Sequence, residues 1–192
     1  MLQKPRPTNG PILHIAPLQA VVEPIGFATA RGDDADPRLD ALRRGVTDVR
    51  LEVFVGEQDV PFVLEIDARD FEATTIHVLA SGADGTPLGA GRLLLAPDHP
   101  GQVHLGRLAV RRSARGTGLG ARLVAAIEEA ALAHVAVLGA GATDVTVVLA
   151  AQEQALGFYQ RCGYRVMTGR RYLDAGIWHQ DMARTLRLPQ DD

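Results

Sequence analysis

A strand followed by a basic, glycine-rich loop and then a helix is the feature that most restricts how this chain can fold. The strand-like run 103–110 leads into Arg115-Gly116-Thr117-Gly118-Leu119-Gly120, and apolar residues recur at helical spacing over residues 118–137. The first N–H groups of a helix lack partners within it and carry partial positive charge, and glycines let a bulky anion approach them. Nearby arginines would add charge-assisted hydrogen bonds. The loop is therefore predicted to bind a phosphate or pyrophosphate group.

Two known phosphate-binding folds fit this loop poorly. A P-loop would continue from Gly120 with lysine and then serine or threonine, but alanine and arginine follow. The dinucleotide-binding pattern is matched by Gly116, Gly118 and Ala121, yet it requires an acid at the end of the next strand, about 20 residues on. Here Asp144 precedes that strand, and a strand meander stands where a dinucleotide-binding fold usually begins. An NAD-binding oxidoreductase remains the weaker alternative.

The other periodicities alternate between strand and helix. Strands are predicted at residues 25–31, 74–81, 86–96, 103–110, 145–148, 164–168 and 177–185, and helices at residues 36–53, 118–137 and 152–162. Asp36 is the expected N-cap of the first helix, and Gly163 is the expected C-terminal cap of the last. Short connections between the early strands favour antiparallel neighbours. We therefore expect an α/β (α+β) fold with a mixed, mostly antiparallel central sheet and helices on both faces.

Length and proline content set the expected domain limits. A chain of 192 residues is long enough for one domain with one sizeable core. Five of the 11 prolines fall within the first 24 residues. Because proline removes backbone donors and blocks helix interiors, residues 1–24 are predicted to form a proline-rich arm outside the core. The domain is expected at residues 25–187, followed by a polar tail at residues 188–192.

Composition argues against several classes of protein. The single cysteine, Cys162, cannot form an internal disulfide or a four-thiolate zinc site, and the six histidines lack metal-binding spacing, so no metal is expected. No secretory signal pattern is present, and glycines and Asp144 interrupt the longest apolar stretch, so we expect a cytoplasmic protein that does not span a membrane. A formal net charge of -3, and a basic segment without interleaved aromatic residues, argue against a nucleic-acid partner.

Two ordered motifs resemble those of the GNAT N-acetyltransferase superfamily. The loop from Arg115 to Gly120 resembles its pyrophosphate loop, Q/R-x-x-G-x-G/A. Residues 152–164, Gln-Glu-Gln-Ala-Leu-Gly-Phe-Tyr-Gln-Arg-Cys-Gly-Tyr, resemble its N-x-x-A-x-x-x-Y-x-x-x-G-F/Y segment, with Gln152 where asparagine is most common. Residues 53–58 and 172–179 resemble the ElaA-like branch. The resemblance covers about residues 25–187, and it implies the GNAT-type acyl-CoA N-acyltransferase fold with acetyl-CoA as cosubstrate.

The resemblance also implies roles for individual residues. The strand that precedes the loop would splay from its neighbour and offer backbone groups to the pantetheine arm, with the Val110 N–H donating to the thioester carbonyl. The implied cofactor-binding residues are Leu108, Ala109, Val110, Arg115, Gly116, Thr117, Gly118, Leu119, Gly120, Ala121, Gln152 and Phe158. Tyr159 is the implied general acid, because a phenol protonated at neutral pH can donate to a departing thiolate. The alternative is that Tyr159 only packs beside Phe158.

The amine side of such a reaction is less determined by the sequence. Residues 51–73 contain seven acids and one base, whereas residues 99–127 contain five arginines and no acid. An acidic run is usually a solvated face, but this one could attract a cationic amine and supply its general base. We expect Glu57 to be that base, with Glu65 as the second choice. Asp67, Asp70, His77 and His104 are further members of the group.

The predicted function is direct transfer of an acetyl group from acetyl-CoA to a primary amine, without a covalent enzyme intermediate. The acceptor would be a small molecule or a peptide, and the protein could form a homodimer, as is common in this family. The alternative is a catalytically silent, CoA-binding regulatory domain.

Overall fold

The computed structural model describes residues 24–99, 101–138 and 143–188, with only the backbone of Leu138 described. Nearly all of the predicted proline-rich arm and of the polar tail lies outside these residues. Within them, no helix is both long enough and apolar enough to cross a membrane. The strands are β1 (Gly26–Arg31), β2 (Thr75–Ser81), β3 (Pro87–Leu95), β4 (Gln102–Val110), β5 (Asp144–Gln152), β6 (Arg165–Asp174) and β7 (Ile177–Arg187). The helices are α1 (Asp40–Arg50), α2 (Phe62–Glu65), α3 (Leu119–Leu138) and α4 (Leu156–Arg161).

The strands form one seven-stranded sheet in the order β1-β2-β3-β4-β5-β7-β6. All neighbours are antiparallel except β4 and β5, which are parallel. The parallel pair is also the shortest, since only Gln102, Val103 and His104 pair with the facing strand at Thr146, Val147 and Val148. Both strands continue beyond these residues without pairing to each other, so a gap opens between them in the middle of the sheet.

Helices cover both faces of the sheet, as the alternation of periodicities predicted. On one face α1 buries Leu42, Val46 and Val49 against alanine and leucine side chains of β1 to β4. On the other face α3 buries Leu123, Ile127 and Val135 in a larger cluster that includes side chains from β2 to β5 and β7. The burial of apolar side chains on both faces fixes the positions of the strand ends at the gap.

Several segments differ from the sequence-based expectation. The strand predicted at residues 145–148 extends to Gln152 as β5, and the helix predicted from residue 152 begins at Leu156 as α4. The first helix does not run from residue 36 to residue 53: α1 begins at Asp40 and passes into a π-helical segment, Leu51–Glu57. Strand β6 does not stop at residue 168 but continues to Asp174, with an irregularity in its pairing to β7 between Val166 and Arg171. The run at residues 167–170 has no alternating pattern and no partner in β7, but the residues on both sides of it pair with β7 and keep it extended.

Candidate active site

The gap between β4 and β5 opens into a cavity of about 310 Å³. Its floor comes from the diverging strands, including Leu108 of β4 and Gln152 of β5. Tyr159 of α4 closes one side. The walls come from the π-helical segment with α2 and from the hairpin of β6 and β7, and their lining residues are Phe54, Gln58, Val60, Leu64, Glu65, Asp174, Ala175, Ile177 and His179. Polar and apolar surfaces contribute about equally to the cavity, and charged and amide side chains converge on it beside apolar ones, as in a site for a polar small molecule.

Backbone groups at the end of β4 face this gap. In the antiparallel ladder of β3 and β4, the Arg111 N–H donates to the Leu88 carbonyl at 2.9 Å. Because hydrogen-bonded pairs alternate along such a ladder, the N–H and carbonyl of Val110 point away from β3 and toward the gap. The Val110 carbonyl accepts a hydrogen bond from Arg115 Nε at 2.9 Å. The Val110 N–H is thus available as a donor at the gap.

A bulge in β4 contributes to the shape of the gap. The register between β3 and β4 shifts between Ala90 and Arg92, and Arg107 has a φ of 51°. A bulge of this kind bends a strand locally and redirects its side chains. As a result Leu108 lines the cavity, whereas Ala109 is buried under α1 on the other face of the sheet. Ala109 can therefore contribute to the site only through its backbone.

The glycine-rich loop carries β4 into the start of α3. Gly116 and Gly118 have φ values of 78° and 85°, and a Cβ built on either would meet no atom within 4 Å, so both face open space. The first α-helical hydrogen bond of α3 runs from the Arg122 N–H to the Gly118 carbonyl at 3.2 Å. Among the described residues, the N–H groups of positions 119–121 have no backbone acceptor. The loop thus presents free donors and a helix N-terminus to solvent, which is the arrangement that binds phosphate groups.

The loop is held against α4 by a close backbone contact. A Cβ at Gly120 would lie 3.2 Å from the Phe158 ring, so glycine lets the aromatic ring pack directly on the start of α3. Leu119 is buried in the core below the loop, and the Thr117 hydroxyl donates to the Ala114 carbonyl at 2.7 Å. Ala121 is exposed beside them. The structure therefore brings the predicted cofactor-binding residues of the loop and of α4 to one end of the gap.

Tyr159 is buried, with 8% of its surface exposed, and it lines the cavity. Its ring meets those of Phe158 and Tyr164 edge to face, at centroid distances of 4.9 and 5.9 Å. No described residue hydrogen-bonds to its hydroxyl. Burial raises the pKa of the Tyr159 phenol above its usual value, with a smaller contribution from Cys162. The group is therefore protonated across the neutral and mildly alkaline range, and its free O–H can donate into the cavity.

Gln152 stands at the end of β5, beside the cavity. Its side-chain N–H donates to the Gln58 side-chain carbonyl at 2.8 Å, and its own carbonyl accepts from Gln154 at 2.9 Å. These two bonds fix the orientation of the amide. Gln152 therefore links β5 to the end of the π-helical segment that forms one wall.

The acidic and basic blocks of the sequence pair with each other. Arg111 binds Glu52 at 3.0 Å, and Arg107 binds Glu65 at 3.1 Å. These ion pairs weaken the expectation that the acidic block attracts a cationic amine. The charges of the block are largely neutralised by arginines, which weakens the long-range attraction.

Glu57 lies beside the glycine-rich loop and does not line the cavity. Its carboxylate is 2.8 Å from Arg115 Nη1 and 3.8 Å from Arg112 Nη2. The hydrogen bond from Arg115 lowers the pKa of Glu57, which weakens this carboxylate as a base. Its surroundings therefore favour a role in positioning Arg115.

Other members of the acidic block belong to a buried ion network beneath one cavity wall. Arg50, with 1% of its surface exposed, lies between Glu65 at 2.5 Å and Asp70 at 2.7 Å. Arg92 contacts Asp70 at 2.9 Å and Asp67 at 2.8 Å. Burial alone would raise the pKa of Asp70, but the two arginines outweigh it and lower the pKa to about 2.

The two remaining candidate bases are not at the cavity. His77 is buried with its Nε2 2.8 Å from the Asp70 carbonyl, and burial lowers the pKa of its ring. His104 is exposed on β4 and contacts Gln102. In the part of the chain that the structure describes, no group of three or more histidine, cysteine, aspartate or glutamate side chains is placed to hold a metal ion.

His179 is the cavity residue that sequence reasoning did not assign. It lies on β7, with 9% of its surface exposed, and pairs across the ladder with Gln152. In the sequence it was noted only as part of residues 172–179, which resemble the ElaA-like branch, and no role was predicted for it. Strand alternation in β7 would have placed it on the same face as Ile177, but only the pairing of β7 with β5 shows that this face meets the cavity.

Comparisons with known proteins agree with this geometry. The family described as "Acetyltransferase (GNAT) domain" matches residues 47–186. YjcF of Bacillus subtilis strain 168, named as an uncharacterized N-acetyltransferase, is 40% identical over 137 residues, which are 71% of this chain and 87% of YjcF.

Solved structures give the same assignment. The crystal structure of Escherichia coli ElaA has a TM-score of 0.69 and 27% identity, over 83% of this chain and 99% of ElaA. An acyl-CoA N-acyltransferase from Pseudomonas aeruginosa has a TM-score of 0.66 and 32% identity, over 84% of this chain and 99% of that one. This chain belongs to the GNAT family of acyltransferases, in the ElaA-like branch.

Proposed function

We propose that this protein transfers an acetyl group from acetyl-CoA to a primary amine, directly and without a covalent enzyme intermediate. The family supports acyl transfer in general. The observation that carries the finer proposal is a cavity lined by β4 at its unpaired edge and by Tyr159, next to the free N–H groups at the start of α3, where Gly120 packs on Phe158.

The residues present suit a pyrophosphate joined to a long, polar arm. The free N–H groups at the start of α3 face open space at Gly116 and Gly118, which leaves room for a diphosphate. Arg112 is 80% exposed and Arg115 is 41% exposed, so both can add charge-assisted bonds. The unpaired edge of β4 next to Val110 offers backbone groups of the kind that would bind the amides of pantetheine.

The chemistry requires a polarised carbonyl and a proton for the leaving group. Acetyl-CoA supplies a thioester whose acyl carbon is open to attack by an amine. The Val110 N–H would donate to the carbonyl oxygen as negative charge develops there. Tyr159 would donate its proton to the departing sulfur, since its raised pKa keeps the phenol protonated at neutral pH.

Calorimetry with acetyl-CoA, combined with a thiol-release assay on a panel of primary amines, tests this proposal. We expect binding of acetyl-CoA, release of CoA thiol with at least one amine, and a mass increase of one acetyl group on that amine. Binding without thiol release for any amine would favour a catalytically silent CoA-binding domain instead. Binding of NAD but not of acetyl-CoA would overturn the proposal entirely.

A further inference from the structure

His179 has the hydrogen bonding of a base whose free nitrogen is the one remote from the backbone. Its Nδ1 lies 2.8 Å from the Ile177 carbonyl oxygen. A carbonyl oxygen can only accept, so Nδ1 carries the hydrogen, and in the neutral ring Nε2 then carries the lone pair. No described residue hydrogen-bonds to Nε2, and this atom is not among the buried, unpartnered ones.

The imidazole ring is held in place from two sides. The Tyr172 ring stacks on it with an interplanar angle of 21° and a centroid distance of 6.0 Å. The Tyr172 hydroxyl donates to Asp181 at 2.6 Å, which anchors the stacking partner. A ring with a fixed tautomer and a fixed orientation keeps its basic nitrogen in one position, as general-base catalysis requires.

The two carboxylates that line the cavity, Glu65 and Asp174, are less suited than His179 to accept a proton. The two carboxylate oxygens of Glu65 are each taken by an arginine, at 2.5 Å from Arg50 and 3.1 Å from Arg107. Asp174 is exposed at the tip of the hairpin of β6 and β7. Among the described residues that line the cavity, His179 is the buried base that keeps one nitrogen, Nε2, free of any hydrogen bond.

We propose that His179 is the general base that deprotonates the acceptor amine, an inference that rests on the proposed acetyl transfer. Nε2 takes one proton from the ammonium form of the acceptor and later releases it to solvent. The neutral amine forms a C–N bond to the acyl carbon, and the C–S bond then breaks. The sulfur takes the Tyr159 proton, and the attacking nitrogen returns its second proton to that phenolate, giving an amide and a thiol.

Substitution H179Q, with H99Q as its matched control, tests the role by activity. His99 is exposed in the turn before β4 and away from the cavity. With the alkylamine from the panel that wild type uses best, H179Q is expected to lower kcat/KM about 100-fold at pH 7. With the hydrazide of the same carbon skeleton, which is already neutral at that pH, the loss should be less than about tenfold. Equal losses for both acceptors, or no loss for either, would overturn the base role.

The pH dependence of kcat/KM distinguishes a general base from a residue with a purely structural role, because only the loss of a base would change its shape. Wild-type kcat/KM with the alkylamine should rise with pH through one ionisation that H179Q removes and H99Q retains. The titratable and charged groups that other elements bring to the same cavity are Glu65, Arg107, Tyr159, Tyr172 and Asp174. The ammonium ionisation of the acceptor itself, near pH 10, should persist in H179Q, whereas an ionisation at lower pH that persists there would belong to one of these enzyme groups and would contradict the proposal.

Two measurements separate failure of this proposal from failure of the proposed function. Acetyl-CoA affinity by calorimetry should be the same in wild type and H179Q, which also shows that the variant folds. Wild type that releases no thiol with any amine would end the acetyl-transfer proposal and the base role with it. Active wild type with unchanged H179Q would end only the base role. Nitrogen-15 NMR on the full chain should show the neutral His179 ring with its hydrogen on Nδ1, and a neutral ring with its hydrogen on Nε2 would overturn the assignment.

Discussion

Arg115 of the glycine-rich loop and Glu57 of the π-helical segment form an ion pair, with Nη1 2.8 Å from the carboxylate. The same arginine donates through Nε to the carbonyl of Val110, at the end of β4. One side chain thus connects the start of α3, the unpaired strand edge and one wall of the cavity. The opposed charges in the sequence hold the proposed binding and acceptor sides together.

This ion pair predicts a modest effect for E57Q. The change leaves Arg115 without its anionic partner, so the affinity for acetyl-CoA should change by a few fold while kcat falls by less than about tenfold. General-base removal would instead cost on the order of 100-fold. Steady-state kinetics of E57Q and of H179Q on the same amine measure the difference. A kcat loss in E57Q as large as that in H179Q would restore Glu57 as the candidate base.

The glycine-rich loop predicts a binding defect for G118A. Gly118 has a φ of 85°, where a residue with a Cβ is strained by about 1–2 kcal/mol, and the added methyl group would enter the proposed phosphate site. We expect acetyl-CoA affinity by calorimetry to fall about tenfold or more, which corresponds to about 1.4 kcal/mol.

The matched control for this change is G169A. Gly169 has a φ of 70° in β6, and a Cβ there would also meet no atom within 4 Å. It carries similar backbone strain outside the loop, so its acetyl-CoA affinity should equal that of wild type. Equal weakening in both variants would show a general loss of stability and no specific role for the loop.

If Tyr159 is the general acid, its substitution by phenylalanine should lower turnover without weakening acetyl-CoA binding. Y159F removes the only proton that this residue can donate, so kcat should fall about 100-fold while acetyl-CoA affinity stays the same. The control is Y164F, because Tyr164 is also buried but does not line the cavity. Unaltered turnover at saturating amine in Y159F would leave Tyr159 as a packing residue.

The buried network predicts that stability falls at low pH. The pKa of Asp70 in the folded protein is about 2, below the value of about 3.9 for an unfolded chain. Because the pKa of Asp70 is lower in the folded protein, its ionisation stabilises the fold at pH values above the pKa of the unfolded chain. This contribution is lost as pH falls from about 4 toward 2. It amounts to about 2–3 kcal/mol in the free energy of unfolding, measurable by urea denaturation at pH 7 and pH 2.

D70N should remove that dependence and destabilise the protein at neutral pH. The change removes the carboxylate that the buried Arg50 and Arg92 share and leaves each with one acidic partner, which costs up to about 3–5 kcal/mol. D48N is the control, because Asp48 is exposed on α1, and a surface change there should stay within about 0.5 kcal/mol. Equal unfolding free energies for D70N and D48N at pH 7 would contradict a stabilising network.

Local patterns in the sequence predicted the architecture because they act over short distances. The change from strand to helix period located α3, Asp36 caps the turn that precedes α1, and Gly163 adopts a φ of 92° after α4. The corrected elements depend on distant partners. Strand β6 extends beyond residue 168 because residues 171–174 pair with β7, which no local pattern in the sequence shows.

The sequence predicted those parts of the site that are formed by the backbone of one contiguous segment. The loop glycines and the helix start form a contiguous motif, so their positions could be inferred from the sequence. The pairing of Arg107 with Glu65 joins residues that are far apart in the chain, and charge blocks alone cannot show which charges meet. His179 was missed for the same reason, since its approach to the cavity depends on the pairing of β5 with β7.

The thiol-release assay with acetyl-CoA and a panel of primary amines, followed by mass spectrometry of the amine, tests the central claim most directly. Acetyl transfer predicts CoA thiol and acetylated amine in equal amounts, with the rate reduced in Y159F and H179Q. Tight binding of acetyl-CoA with neither product from any amine would contradict the account.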